Sequence, residues 1–364
     1  MGHLGCYIRY FDGPPGESSR GVNPHAARLG AQLLSGEPAH EPVGVAERLL
    51  AVQAQDPRGA RLAVRARSEG LSAADVDRAL TEERSLLISW LNRGTLHLVR
   101  SEDYPWLQAI TTPPLFTQSR RRLAQEGVPP DDAERAIAEV ERSLAEDGPL
   151  DRYQLRERID AIGVRTGRQA MVHILFAASL RGLVVRGPMV DGRHAFVLVR
   201  DWLGEPKPVD RDRALAELAR RYLAGHGPAT DRDLARWAGM PLRDARTGLA
   251  AISSVLVERE PGLVELRERG DGATRVAGLP PPKLLGPFDP AMLGWTSRED
   301  IVGRHEDAIV GGGIFRPVAL VKGRAVGTWS MPDGRVALEP IARIARADRE
   351  ALEREAADVQ RFLG

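Results

Sequence analysis

Two glutamines two residues apart, in Ala51-Val52-Gln53-Ala54-Gln55-Asp56-Pro57, are the residues whose type and spacing most clearly offer chemistry. An amide does not titrate near neutral pH, so neither Gln53 nor Gln55 can be a general base; each can orient a water through its carbonyl. On a helix, positions i and i+2 stand about 200° apart and cannot serve one site. In an extended segment they return to one face. Pro57 disfavours the helical region for Asp56, so the helix carrying Leu49, Leu50 and Val52 should fray here. Both amides could then hold one small polar object, such as a water. The plain alternative is a polar helix end facing solvent.

Other candidates lie further along. Arg93, Thr95 and His97 alternate, so on a strand all three would face one side of a hairpin. They would offer one contact face, or simply form a structural Arg-His face. Arg316, Lys322 and Arg324 surround the turn Lys322-Gly323 and are a second candidate contact set, or a solvated basic turn. The eight histidines are scattered without metal-ligand clustering. No phosphate-cradling G-x-x-x-x-G-K or G-x-S-x-G motif occurs. No metal and no cofactor is expected.

The chain has 364 residues, enough for two or three domains with sizeable cores. With 43% hydrophobic and 28% charged residues it has an ordinary soluble profile. A single cysteine, Cys6, excludes a disulfide-stapled extracellular fold. No run of 18 apolar residues exists, so no membrane span and a cytoplasmic location are expected. Net charge is +1, far from a strongly basic nucleic-acid binder, and the basic side is nearly all arginine. GC-rich coding explains that bias, although arginine also forks onto phosphate. A nucleic-acid partner then requires the charge to be segregated onto one face.

The elements that must position these residues read as a loosely repeated unit. Residues 1–23 look like a flexible leader. In 24–130, helices are expected over 24–35, 42–54, 58–69 and 72–82, followed by a hairpin of Leu86–Trp90 with Thr95–Val99. In 131–205, a helix striped by Ile137, Val140 and Leu144 closes at Gly148-Pro149. Two further helices end at Gly163 and Gly182, and a ribbon turns at Asp191-Gly192. After Pro206-Lys207-Pro208, which reads as a linker, 206–278 repeats the order around a matching corner, Gly227-Pro228, and closes on a ribbon of Val255–Val257 with Leu263–Leu266. A further strand could follow Gly270-Asp271-Gly272. Helix, helix, helix, two-stranded ribbon is the winged-helix order, and two matched copies argue for tandem duplication. In 279–364, Ile314–Val321 and Arg324–Trp329 should form a hairpin, with a final helix from about Pro340 to Phe362. The fold class expected is α+β, mainly helical, with three tandem winged-helix units and a C-terminal β-hairpin region.

Four segments carry a resemblance: Gln53-Ala54-Gln55, Arg93-Gly94-Thr95-Leu96-His97-Leu98-Val99, Pro287-Phe288-Asp289-Pro290, and Arg316-Pro317 with Gly323-Arg324 and Gly327-Thr328-Trp329. In order and spacing, over roughly residues 24–340, the chain resembles the AlkZ-type winged-helix proteins, bacterial DNA glycosylases that unhook crosslinks left by azinomycin-like alkylating natural products. The resemblance implies a C-shaped array of three winged helices around a DNA-sized channel. It implies that Gln53 and Gln55 are catalytic, in the crosslink-resistance branch rather than the branch with Gln-x-Asp. Asp56 becomes a candidate for stabilising a cationic sugar, with a capping or surface role as the alternative, and Arg93, Thr95, His97, Arg316, Lys322 and Arg324 become candidates for DNA backbone or lesion contact. The substrate implied is double-stranded DNA carrying bulky cationic N7-alkylguanine adducts or interstrand crosslinks, cleaved by a monofunctional enzyme that works as a monomer and gives self-resistance. The competing readings are a non-catalytic winged-helix transcription regulator and a damage-binding scaffold. A regulator reads base edges from a recognition helix, and the third helices offer only Gln169, His173, Arg243, Asp244 and Arg246.

Overall fold

The computed structural model describes residues 23–205, 207–267 and 279–364. The leader up to residue 22, Cys6, Pro206 and the strand considered after Gly270-Asp271-Gly272 lie outside the described residues. About 53% of the described residues are helical, so the chain is α+β and mainly helical.

The first helices start where proline allows. α1 (Pro24–Ala31), α2 (Pro42–Leu49) and α3 (Pro57–Arg65) each place a proline in the first turn, where a fixed φ helps and the missing N–H costs nothing. Between α2 and α3 runs β1 (Val52–Gln53). The helix expected over 42–54 therefore ends at Leu49, and Leu50 turns the chain at φ 63°. α4 (Ala73–Thr81) opens on a Ser72/Asp75 capping box. β2 (Leu86–Trp90) and β3 (Leu96–Arg100) form the expected hairpin. α5 (Tyr104–Thr111) and α6 (Phe116–Gln125) follow it.

Two stretches then share one order. In the first, α7 (Pro130–Asp147) is followed by β4 (Leu150–Asp151), α8 (Arg152–Ala161) and α9 (Ala170–Leu180), then β5 (Val184–Val190) and β6 (Arg193–Leu198). After the short helix α10 (Val199–Leu203), the second runs α11 (Arg211–His226), α12 (Asp231–Ala238), α13 (Leu242–Ala251), β7 (Leu256–Glu260) and β8 (Leu263–Leu266). The two Gly-Pro corners do the same job. Leu150, after Gly148-Pro149, pairs with Phe196 of its ribbon; Ala229, after Gly227-Pro228, bridges to Val264 of the other.

One six-stranded sheet, in the order β1-β3-β2-β5-β6-β4, joins the hairpin at residues 86–100 to the ribbon at 184–198 through the pair Ile88–Arg186. β2 is buried at every position and β3 at every position but Arg100, because both faces of the sheet are covered there. Leu86, Ile88, Trp90, Leu96 and Leu98 join one core with residues of α4, α7 and α9. Leu87, Leu91 and Val99 join a second core with residues of α5, α11 and α12.

The C-terminal region contains β9 (Lys283–Leu285), short helices α14 (Glu299–Val302) and α15 (Glu306–Ile309), and a small hairpin of β10 (Val310–Gly311) with β11 (Ile314–Phe315). β12 (Val318–Val321), β13 (Arg324–Ser330) and β14 (Ala337–Pro340) complete a four-stranded sheet with β9, and α16 (Arg346–Leu363) ends the chain. The expected Lys322-Gly323 turn is present, both residues at positive φ as a tight two-residue hairpin demands. Two expectations are corrected. The strand drawn over Ile314–Val321 breaks at Arg316-Pro317, since Pro317 has no N–H to continue the ladder. The final helix starts at Arg346, because Pro340 still pairs with Gly327 at the sheet edge.

The C-terminal region is fastened to α3. Gly286 lies so close to this helix that a Cβ on it would sit 2.8 Å from Leu62 Cβ, and a Cβ on Gly59 would strike the Pro287 carbonyl. Arg65 donates to the Leu284 carbonyl and to Glu355 and Asp358 of α16. Arg67, fully buried, forks onto Asp289 at 2.7 and 2.9 Å and also donates to Ala63 and Gln32. Asp289→Ala leaves that guanidinium buried without its counter-charge, which costs about 3–5 kcal/mol. Urea unfolding should show a lower midpoint at unchanged slope. A loss below about 1 kcal/mol would mean that the pair does not hold the two parts together.

Candidate active site

The paired glutamines lie on the seven-residue connector from Leu50 to Asp56, between α2 and α3. β1 fixes its first half: Val52 pairs with Leu98, Gln53 with His97, and the Ala54 amide donates to the Leu96 carbonyl at 2.7 Å. Asp56 fixes the second half by accepting the Gly59 amide at 2.7 Å as the cap of α3. Val52 and Gln53 are extended and the chain bends at Gln55 and Asp56, so Gln53 and Gln55 belong to one non-helical segment that starts at Leu50.

Each glutamine is oriented by a group that can only donate. Arg93 Nη2 donates to Gln53 Oε1 at 3.2 Å. The Leu96 amide donates to Gln55 Oε1 at 3.4 Å. Because neither donor can accept, both carbonyls turn inward and both NH2 groups turn away from these partners. Each carbonyl oxygen keeps a second lone pair. Gln53 is 8% exposed whereas Gln55 is exposed to solvent, so the first is a fixed wall and the second stands at the opening.

Arg93 does not sit on a strand. The turn Asn92–Gly94 takes φ 58° at Arg93, which lifts it out of the pleat, and β3 begins only at Leu96. The expectation that Arg93, Thr95 and His97 alternate along a strand and face one side of the hairpin is therefore corrected. The Arg93 guanidinium also donates to the Trp237 carbonyl, and its backbone packs so tightly on Gly239 that a Cβ there would lie 2.7 Å from Arg93 N. Burial, and secondarily Arg236, lower its pKa to about 10, so it stays a cation at neutral pH. Thr95 Oγ1 turns back to the Asn92 carbonyl. His97 is 1% exposed and sits beside Gln53 across the strand pair, its Nδ1 2.9 Å from the Thr95 carbonyl. A ring in that position braces Gln53 and offers nothing to a DNA backbone.

Arg316, Lys322 and Arg324 are all exposed, as a contact surface needs. The Lys322-Gly323 turn is docked on α1, where a Cβ at Gly323 would lie 2.8 Å from His25 Nε2. Two non-glycine residues at positive φ border the glutamine segment, Leu50 preceding it and Arg93 bonded to Gln53, and such strain of about 1–3 kcal/mol each is found where function holds the backbone. Sequence reasoning missed Asn92, Trp237 and Gly239. Asn92 is fully buried with neither side-chain atom partnered, and no periodicity signals that. Among the described residues no group of three or more His, Cys, Asp or Glu could hold a metal ion, and no helix is long and apolar enough to cross a membrane.

A family model described as "DNA glycosylase AlkZ-like" matches residues 46–362. An interstrand DNA cross-link repair glycosylase from Streptomyces sahachiroi is 29% identical over 362 residues, 93% of this chain and 95% of the relative. The solved structure of the Streptomyces sahachiroi DNA glycosylase AlkZ superposes with a TM-score of 0.75 at 27% identity, covering 93% of this chain and 95% of that one.

Burial lowers the His97 pKa to about 3, with Arg93 adding to the effect, against 6.5 for a free histidine. As pH falls below 6.5, the unfolded chain takes up a proton that folded His97 refuses, so stability is lost on acidification. Denaturation midpoints followed from about pH 6.5 to 5, above the carboxylate range, should fall in the native chain. In His97→Gln that slope should be shallower. Equal slopes in the two proteins would contradict the buried neutral ring.

Proposed function

The chain belongs to the AlkZ-like DNA glycosylase family, and we propose that it is a monofunctional enzyme hydrolysing the N-glycosidic bond of bulky, cationic N7-alkylguanine in double-stranded DNA. On this reading it unhooks interstrand crosslinks and gives self-resistance to an alkylating natural product of the azinomycin type. It works as a cytoplasmic monomer, with segments 24–130, 131–205 and 206–278 as three winged-helix units in a C-shape around the duplex and 279–364 closing it. The shared order of helices and ribbon around Leu150 and Ala229 supports the second and third units.

The observation that carries the chemistry is the fixing of two neutral amides, Gln53 and Gln55, by obligate donors on one connector. An N7-alkylated guanine is already a cation and a good leaving group. What remains is to place a water against C1′ as the bond loosens, a matter of positioning and electrostatics. The free lone pairs of Gln53 and Gln55 Oε1 accept that water's hydrogens. Asp56 uses Oδ1 on the Gly59 amide, and its other oxygen is available to face the cationic sugar. Exposed Arg316, Lys322 and Arg324 take backbone phosphates.

Activity should therefore follow the charge of the lesion. Duplexes carrying one defined lesion each, scored for abasic product, should show release of N7-alkylguanine and slower release of N3-alkyladenine, with uracil and 8-oxoguanine inert. Efficient uracil release would require a general acid and overturn the mechanism. Sequence-specific binding without any abasic product would favour a regulator.

A further inference from the structure

A second cleft, of about 580 Å³, opens where α3, the start of α8 and the β5–β6 ribbon meet. Five arginines and a histidine line it against two aspartates. The aspartates are already engaged: Asp77 with Arg61, and Asp151 with Arg193 and the amides that begin α8. Arg152 donates to the Tyr153 hydroxyl at 3.3 Å, lies over that ring, and forms no ion pair among the described residues. Arg186 lies 5.0 Å from the ring centroids of both Trp90 and Phe196 and forms no ion pair among the described residues; its Nε is buried without a partner. Both ring nitrogens of His194 are likewise buried and unpartnered. Burial disfavours the charge on Arg186, and Arg152 stands close enough to add to the effect.

Like charges gathered around a half-buried guanidinium are costly unless an anion completes them. We infer that this cleft is a phosphate-group site, with Arg186 as its floor and Arg152 at its rim, and that the phosphate is a DNA phosphodiester near the nucleotide being excised. The inference rests on the glycosylase reading and deepens it. A cationic adduct base is repelled here, whereas guanidinium forks match phosphate oxygens. DNA rather than a free anion is indicated by position. Pro57 and Arg58, which follow Gln55 and Asp56 directly, form part of the same wall. Tyr153, 51% exposed with Arg152 and Arg193 over its ring, offers a flat surface to a neighbouring base.

The test is binding of an undamaged duplex, followed by fluorescence anisotropy across a range of salt. Arg186→Gln and Arg152→Gln should each weaken binding several-fold and reduce the log–log salt slope by about one. Arg152 is exposed, so its variant remains decisive if Arg186→Gln fails to fold. Unchanged slopes in both folded variants would overturn the site. A free-ion site would instead appear as stabilisation of the wild type by inorganic phosphate, lost in Arg186→Gln while DNA binding stays intact, and that also overturns the proposal. Wild-type excision of N7-methylguanine, measured in parallel, separates failure of this site from failure of the glycosylase reading.

Discussion

The buried ion pair of Arg67 with Asp289 is the constraint on which the rest depends. Two charges removed from water are tolerated only because the fork is bidentate and every neighbour helps: Gln32 and the Ala63 carbonyl accept from Arg67, and the Ala291 amide donates to Asp289. This pair welds α3 to the segment Gly286–Pro290, and the bare Cα atoms of Gly59 and Gly286 let the two backbones close up. α3 begins one residue after Asp56, so its placement sets where the glutamine connector ends. At the other end, pairing of Val52 and Gln53 with β3 sets where it begins. A short chain held at both ends can keep side chains in place without any covalent or metal staple.

That rigidity matters because amides are weak catalytic groups. A glutamine contributes no proton and no charge, only direction, and direction is lost if the side chain can rotate. Arg93 and the Leu96 amide each remove that freedom by donating to a carbonyl. Arg93 is in turn held by the Trp237 carbonyl at the end of α12, so the orientation of Gln53 depends on a residue about 180 positions further along the chain. His97, kept neutral by burial, backs the same wall without adding charge.

Much of this was legible in the sequence where local rules decide. The Asp191-Gly192 and Lys322-Gly323 turns, the 86–99 hairpin and the matched Gly-Pro corners are short-range chemistry. The glutamines were legible by type and spacing, but the helix before them stops at Leu49, where Leu50 takes positive φ, and not at the Pro57 boundary. What escaped was tertiary. Whether Arg93 lies in the pleat depends on a turn with positive φ, and its partners, Trp237 and Gly239, come from another segment. The motif Pro287–Pro290 was visible, but the role of Asp289 required knowing that Arg67 is buried against it. α5 and α6 were not assigned, because Pro105, Pro113 and Pro114 disguise their boundaries.

The central claim is that Gln53 and Gln55 act in the chemical step rather than in folding or DNA affinity. Single-turnover excision of N7-methylguanine by Gln53→Ala and Gln55→Ala, with DNA affinity and melting temperature measured on the same preparations, tests it most directly. The account predicts that excision falls by about a hundredfold or more while affinity and melting temperature stay near wild type. Variants that melt early and lose activity only in proportion would contradict it, and would make the glutamine pair a structural feature of the connector.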